Sequence, residues 1–282
     1  MWLASITVLA ITAAVVIMTS SGKDAGRREG DGRAFIGGDL HSLAADPNDP
    51  TRLFVGGHEA VSVSTDGGRT WSAVGSLKNA DAMGWAFAPS AVWVSGHPGL
   101  KRSIDGGRTF SAVNEGLPNT DVHAFGAGRS VLYGASPAAG VFASTDGGRS
   151  WVVRTATAGR GFFGRILVDP ADDTRLIGAD ARSGPVESTD GGRSWRPLGG
   201  VKKATWVSWR GPGTSKLVAS GPSGAAASAD GGATWDQLVL PVGATLVEGT
   251  AADDRLLYAA GLEGGLARVW VSRDGGSRWS HP

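Results

Sequence analysis

The chain contains no cysteine and only two tyrosines among its 282 residues. The first absence excludes disulfides, and with them the acylated cysteine of a lipoprotein terminus. The second narrows the nucleophiles available for chemistry. Neither sign of charge dominates: 27 lysines and arginines face 26 aspartates and glutamates, a net charge of +1. No basic field surrounds such a protein, so nucleic acid is not an expected partner. Long hydrophobic runs are also missing, apart from residues 2–18, which carry no charge. With residues 19–22 that run reaches the roughly twenty residues of a membrane span. A signal-peptide core is the rival reading, although no Ala-x-Ala site follows and no basic residue precedes the run. The flank over residues 23–33 holds four basic and three acidic residues, a weak pointer to the cytoplasmic side. We expect an export anchor over residues 1–20, a flexible linker over 21–33, and one folded domain over 34–282. The protein is then extracytoplasmic, either tethered to the membrane or secreted.

What is abundant is glycine, 45 residues, which suits tight turns and disfavours long helices. Much of it sits in six copies of one phrase. The first reads Ser64-Thr-Asp-Gly-Gly-Arg-Thr-Trp71, and the others centre on Asp105, Asp146, Asp190, Asp230 and Asp274. From Asp66 onward these aspartates recur every 39 to 44 residues. A period near forty with turn chemistry at fixed phase predicts one four-stranded sheet per repeat, set radially as a propeller. Asp-Gly-Gly is a turn in which glycine takes positive φ and the carboxylate accepts loop amides. The aromatic closing each phrase begins the next strand and buries a large apolar surface. These aspartates are therefore read as structural.

The first repeat sets the pattern. Residues 41–45 form an inner strand, 46–50 a turn, 53–56 a second strand, 60–64 a third, and 71–74 the outer one. Residues 166–168, 176–178 and 186–188 restate it, and residues 83–88, 123–126, 206–209 and 245–250 supply further inner strands. Six phrases imply an all-β, six-bladed propeller. Phe35 and Ile36 are placed beside the short last strand at 278–282, helping to close the ring.

The phrase Ser-x-Asp-Gly-Gly-x-x-Trp resembles the Asp-box, or bacterial neuraminidase repeat, of sialidases, sortilin-type propellers and photosystem-assembly propellers. Within the first half, Asp-Leu-His41-Ser-Leu, Gly57-His58, Asp81-Ala-Met-Gly-Trp85, Ser95-Gly-His97-Pro98 and Asp121-Val-His123-Ala124 resemble a group of exported bacterial propellers termed glycosylhydrolase-like. That resemblance implies an exported propeller, and its label implies glycoside hydrolysis without a proven reaction. Members of the group often carry a lipoprotein cysteine, which this chain lacks. A sialidase is implied to need an arginine triad, a tyrosine nucleophile with its glutamate, and an acidic aspartate. Here Tyr133 and Tyr258 lie in apolar runs, no Arg-Ile-Pro opening precedes the first phrase, and Arg69, Arg108, Arg149 and Arg193 belong to the phrases themselves. The sialidase set is not recognisable.

The phrases serve as a ruler for the rest. They share one face with the turns joining first and second strands, so the other face collects the second-to-third loops and the starts of the inner strands. His58 and His97 fall in such loops, and His41 and His123 at inner-strand starts. Asp39, Asp81 and Asp121 align in one slot, and His41, Met83 and His123 in the next. The later repeats offer Gly164, Trp206 and Thr245 there. Four of five histidines thus point to one half of one rim, near Trp85 and Trp206. Imidazoles with carboxylates suit zinc or copper(II), and a thioether beside them favours copper. Asp39, Asp81 and Asp121 are alternatively candidates for the acid and base of glycoside hydrolysis. The same half-rim, with its tryptophans, suits a glycan, peptide or protein ligand bound without turnover. A structural reading stands beside all three: inner-strand aspartates tie down loop amides, and the histidines serve as turn residues. The reading that leads is a binding module, with a sialidase-like glycoside hydrolase as the alternative.

Overall fold

A computed structural model describes residues 32–282. The expected anchor and nearly all of the linker lie outside the described residues. Among the described residues, no helix is long and apolar enough to cross a membrane. The first strand, β1 (Arg33–Phe35), begins inside the stretch assigned to the linker.

Antiparallel four-stranded units follow one another along the chain. The first comprises β2 (Leu40–Asp46), β3 (Asp49–Gly57), β4 (Val61–Ser64) and β5 (Ser72–Ala73), hydrogen-bonded in that order. Next come β6 (Asp81–Ala88), β7 (Ala91–His97), β8 (Gly99–Ser103) and β9 (Ser111–Ala112). An eight-stranded sheet follows, built from β10 (Ala124–Ala127), β11 (Leu132–Ser136), β12 (Gly140–Ser144) and β13 (Val152–Thr155), then β14 (Phe162–Asp169), β15 (Asp172–Asp180), β16 (Gly184–Ser188) and β17 (Arg196–Pro197). Its halves meet where the inner strands β10 and β14 pair in parallel, Ala124 opposite Gly164. The last sheets are β18 (Trp206–Trp209), β19 (Leu217–Gly221), β20 (Gly224–Ser228) and β21 (Asp236–Leu238), then β22 (Ala244–Gly249), β23 (Leu257–Glu263) and β24 (Leu266–Ser272). Each inner strand packs on the next, and β22 returns to β2, so the fold is propeller-like.

The last sheet takes its outer edge from both ends of the described chain. β1 pairs antiparallel with β24, Arg33 opposite Arg268 and Phe35 opposite Leu266. The Val269 N–H donates to the Gly32 carbonyl, and Val271 bridges Ser280. Closure beside residues 278–282 is therefore only part of the arrangement. Most of the pairing goes to β24, because β24 is the strand left without an outer neighbour.

Each of the first five repeated phrases is a hydrogen-bonded loop between the third and fourth strands, and the sixth follows β24 and leads to the Val271–Ser280 bridge. Ser64 Oγ donates to Asp66 Oδ1 (2.8 Å) and accepts the Gly68 N–H (2.8 Å). Asp66 Oδ1 also accepts the Thr70 N–H (2.9 Å), and Oδ2 accepts the Thr70 hydroxyl (2.6 Å). Gly67 and Gly68 sit at φ of 74° and 95°, where a side chain would strain the backbone. The Trp71 indole N–H closes the loop on the Gly68 carbonyl at 3.0 Å, and Gly67 N–H ties it to the Thr51 carbonyl at the start of β3. The same carboxylate pattern recurs at Asp105, Asp146, Asp190 and Asp230. At Asp274 the residue four places on is Arg278, which offers only its backbone N–H.

The hydroxyls of Ser194 and Thr234, followed by backbone N–H groups, hold Asp190 and Asp230 down at about 2. The same donors hold Asp105 and Asp146 below the usual carboxylate range. A carboxyl depressed in the folded state stabilises the fold fully above its unfolded value, and that contribution disappears as pH falls through the folded value. Urea midpoints followed by tryptophan fluorescence should therefore drop between about pH 4 and about pH 2. Asp190→Asn should show a shallower acid limb. An unchanged midpoint down to pH 2.5 would count against the loops as the acid-labile element.

Candidate functional site

The half-rim histidines and aspartates come together in two groups. In the first, His41 Nδ1 lies 2.6 Å and His58 Nδ1 3.8 Å from Asp81 Oδ1. The two rings meet edge to face with centroids 5.0 Å apart. Ligand atoms of Asp39, His41 and His58 all lie within 4.8 Å of one another. In the second, His97 Nε2 and His123 Nε2 approach the same Asp121 Oδ1 at 2.5 Å and 2.7 Å. Here too the ligand atoms fall within 4.8 Å. Asp81 and His97 stand opposite each other across β6 and β7, so the groups are neighbours.

Local irregularity in the inner strands sets this geometry. Pairing of β2 with β3 skips from Leu40 to Ser42, leaving His41 as a bulge, and β6 skips Met83 in the same way. A bulge re-aims the side chain of the extra residue, here toward the strand start at the rim. His123 sits just before β10 and is held by its N–H on the Ala135 carbonyl at 2.9 Å. His58 and His97 come from the opposite ends of β3 and β7, the first just past the strand and the second at its last residue.

Burial divides the imidazoles. The side chains of His41 and His123 are 14% and 16% exposed, those of His58 and His97 57% and 50%. One inner, largely buried imidazole and one outer, half-exposed imidazole belong to each group. Burial pushes the Asp81 carboxyl up, but the bond to His41 and the charges of His41, His58 and His97 outweigh it and leave it lowered. Burial also pushes His123 down, only partly offset by the charge of Asp121, which keeps the imidazole neutral and able to coordinate. His41 Nδ1, Asp81 Oδ1 and Asp121 Oδ1 are all shielded from solvent, and the His41–Asp81 and His123–Asp121 contacts fall at hydrogen-bond distance. Imidazole nitrogens and carboxylate oxygens gathered this closely are a donor set that suits a divalent cation once the imidazole protons are displaced.

The other predicted site residues lie elsewhere. Trp85 and Trp206 are wholly buried. Trp85 stacks on Phe54 with centroids 4.7 Å apart and donates its indole N–H to Ser42 Oγ; Trp206 donates to Glu248 Oε2 at 2.8 Å. Both are core residues, since the paired positions of an inner strand turn toward neighbouring sheets. Met83 is also buried. In the later sheets the slot falls on Gly164 and Arg165, where β14 skips pairing, and on Thr245 in β22. Trp206 is paired with Ser220, so Thr205 precedes the strand as His123 does.

Sequence reasoning missed Glu248. It is buried in β22, accepting from Arg165 Nη1 (2.7 Å), Trp206 Nε1 and the Ala45 N–H (3.2 Å). Burial drives its carboxyl up despite the charge of Arg165. The available signal was a lone acid within an otherwise uncharged inner strand.

The family described as BNR/Asp-box repeat matches residues 62–73, the first loop and its flanks. The chain carries Asp-box repeats on a propeller-like fold. No curated protein matches its sequence. Among solved structures, this chain is similar to the GH74 xyloglucanase from Xanthomonas campestris at 17% identity and TM-score 0.57, over 90% of this chain and 46% of that one. It is similar to YCF48 from Cyanidioschyzon merolae at 19% identity and TM-score 0.52, over 88% and 85%. PorZ, a surface component of the type-IX secretion system of Porphyromonas gingivalis, is 10% identical with TM-score 0.55, over 86% and 32%. The chain thus spans less than half of the xyloglucanase and most of YCF48. At these identities the likeness concerns the fold.

Proposed function

We propose that this protein is an extracytoplasmic six-bladed Asp-box propeller, membrane-tethered or secreted, that acts as a noncatalytic binding module. Its half-rim over the first three blades holds zinc or copper(II) and presents a peptide, protein or glycan partner with an open coordination position. The observation that carries this reading is the convergence of ligand atoms within 4.8 Å of one another in two groups, Asp39 with His41 and His58, and Asp121 with His97 and His123. Two imidazoles and a carboxylate are a common donor set for these metals, and three protein ligands leave room for a fourth. The solved structure of YCF48 bound to D1 peptide is similar in fold at TM-score 0.54, which supports a peptide as one class of partner.

Metal analysis of the purified full chain after loading with zinc and with copper(II), followed by desalting, tests the proposal. At least one equivalent retained per chain is expected. Substoichiometric metal after both loadings would overturn it.

The likeness to xyloglucanases favours a second reading, glycoside hydrolysis. Asp81 fits it poorly, because a general acid needs a raised pKa and the histidines hold Asp81 down. Assays on a panel of aryl glycosides should show no release. Turnover abolished by Asp81→Asn, with the fold intact, would replace the binding reading by the hydrolase.

A further inference from the structure

The axis of the ring carries a second feature, away from the histidine rim. A cavity of about 290 Å³ opens among the first-to-second turns, on the Asp-box side. Its walls include Phe87, Trp209, Pro47, Pro89 and Pro170, and two arginines line it: Arg165, and the exposed Arg129, whose Nη2 donates to the Ala171 carbonyl. The Arg165 guanidinium lies 5.9 Å over the Phe87 ring and gives Nη1 to Glu248 Oε1 at 2.7 Å. Among the described residues, its other N–H groups have no hydrogen-bonding partner. Glu248 cannot turn to take them, because its oxygens already receive Ala45, Trp206 and Arg165. An anchored guanidinium with donors to spare faces an apolar chamber.

The dimensions narrow what fits. Ligand pockets run from roughly 300 to 1,000 Å³, and this one lies at the small end, enough for one ring and a short chain but not for an oligosaccharide. A planar fork of N–H donors matches a carboxylate in bidentate fashion better than any neutral acceptor. Phe87 and Trp209 offer faces to an aromatic body. We propose that this axial cavity binds a small organic monocarboxylate with an apolar or aromatic body, its carboxylate on Arg165 and its body among Phe87, Trp209 and the three prolines. The site is separate from the metal-capable rim, and it stands or falls independently of it.

The test uses the full chain, 3-phenylpropanoate and the uncharged 3-phenylpropanamide, with isothermal titration calorimetry and the indole N–H resonances of the protein. Saturable binding of the acid, at least about tenfold tighter than the amide, is expected, with the Trp209 resonance shifting. Arg165→Met combined with Glu248→Gln removes the donors without stranding a buried charge, and should weaken the acid at least tenfold while leaving the amide unchanged. Because that pair also shapes the core, Ala251→Phe is the second variant: it narrows the exposed mouth, leaves Arg165 and Glu248 in place, and should abolish binding of both compounds. His41→Ala with His123→Ala should leave the titration unaltered. Equal affinity for acid and amide, undiminished acid binding in Ala251→Phe, or no binding up to about 10 mM would each overturn the proposal.

Discussion

Glu248→Ala lowers the stability of the protein by about 3–5 kcal/mol, because it leaves the Arg165 guanidinium as an uncompensated charge in the channel. Two further donors lose their acceptor at the same time, the Trp206 indole N–H and the Ala45 N–H. These two donors belong to β18 and β2, the third to β14, so one carboxylate holds three inner strands that are distant in sequence. For a domain of this size the loss corresponds to a fall in melting temperature on the order of 10 °C. Glu248→Gln keeps an acceptor for the indole and the amide and should cost markedly less. Arg165→Met in the Glu248→Gln background should recover part of that loss, since it removes the stranded charge. Thermal unfolding followed by calorimetry separates the variants. A Glu248→Ala protein within about 1 kcal/mol of the unaltered chain would mean that water satisfies all three donors.

The second large effect concerns the rim. His41→Ala combined with His123→Ala removes the inner, largely buried imidazole from each group and should weaken zinc binding at least about a hundredfold, measured by competition with a chromophoric chelator. His58→Ala with His97→Ala should weaken it less, because the exposed rings lose more freedom when they coordinate. Protons compete with metal for imidazole nitrogen, so affinity should fall as pH drops from about 7 to about 5. The lowered pKa of His123 places its group at the acid-resistant end of that range. Equal, pH-independent affinities in the unaltered chain and both double variants would assign the metal to other residues.

The Asp-boxes were legible because their chemistry is local: serine, aspartate, two glycines and a hydroxyl within seven residues make the whole loop. Their phase then located the four rim histidines, since any residue a fixed distance from a box reaches the same place in its sheet. The limits of the ruler are equally physical. A bulge adds one residue without changing composition, so the slot in the later sheets fell one residue away, on Arg165 and Thr205 rather than on Gly164 alone and Trp206. Trp85 and Trp206 looked like ligand platforms because a tryptophan's polar edge reads the same whether it faces solvent or a buried acceptor. The Arg165–Glu248 pair links residues 83 apart; neither neighbourhood announces the other.

The pairing of β1 with β24 also orders events during synthesis. Arg33–Phe35 emerges from the ribosome early, and Leu266–Ser272 close to the last of the described residues. At roughly 5–20 residues per second, the earlier strand waits on the order of tens of seconds for its partner. Until β24 has been made the nascent chain can assemble sheet upon sheet, yet it cannot seal the circle. The Phe35-bearing strand β1 meanwhile stays without its β24 partner, open to whatever holds unfinished chains.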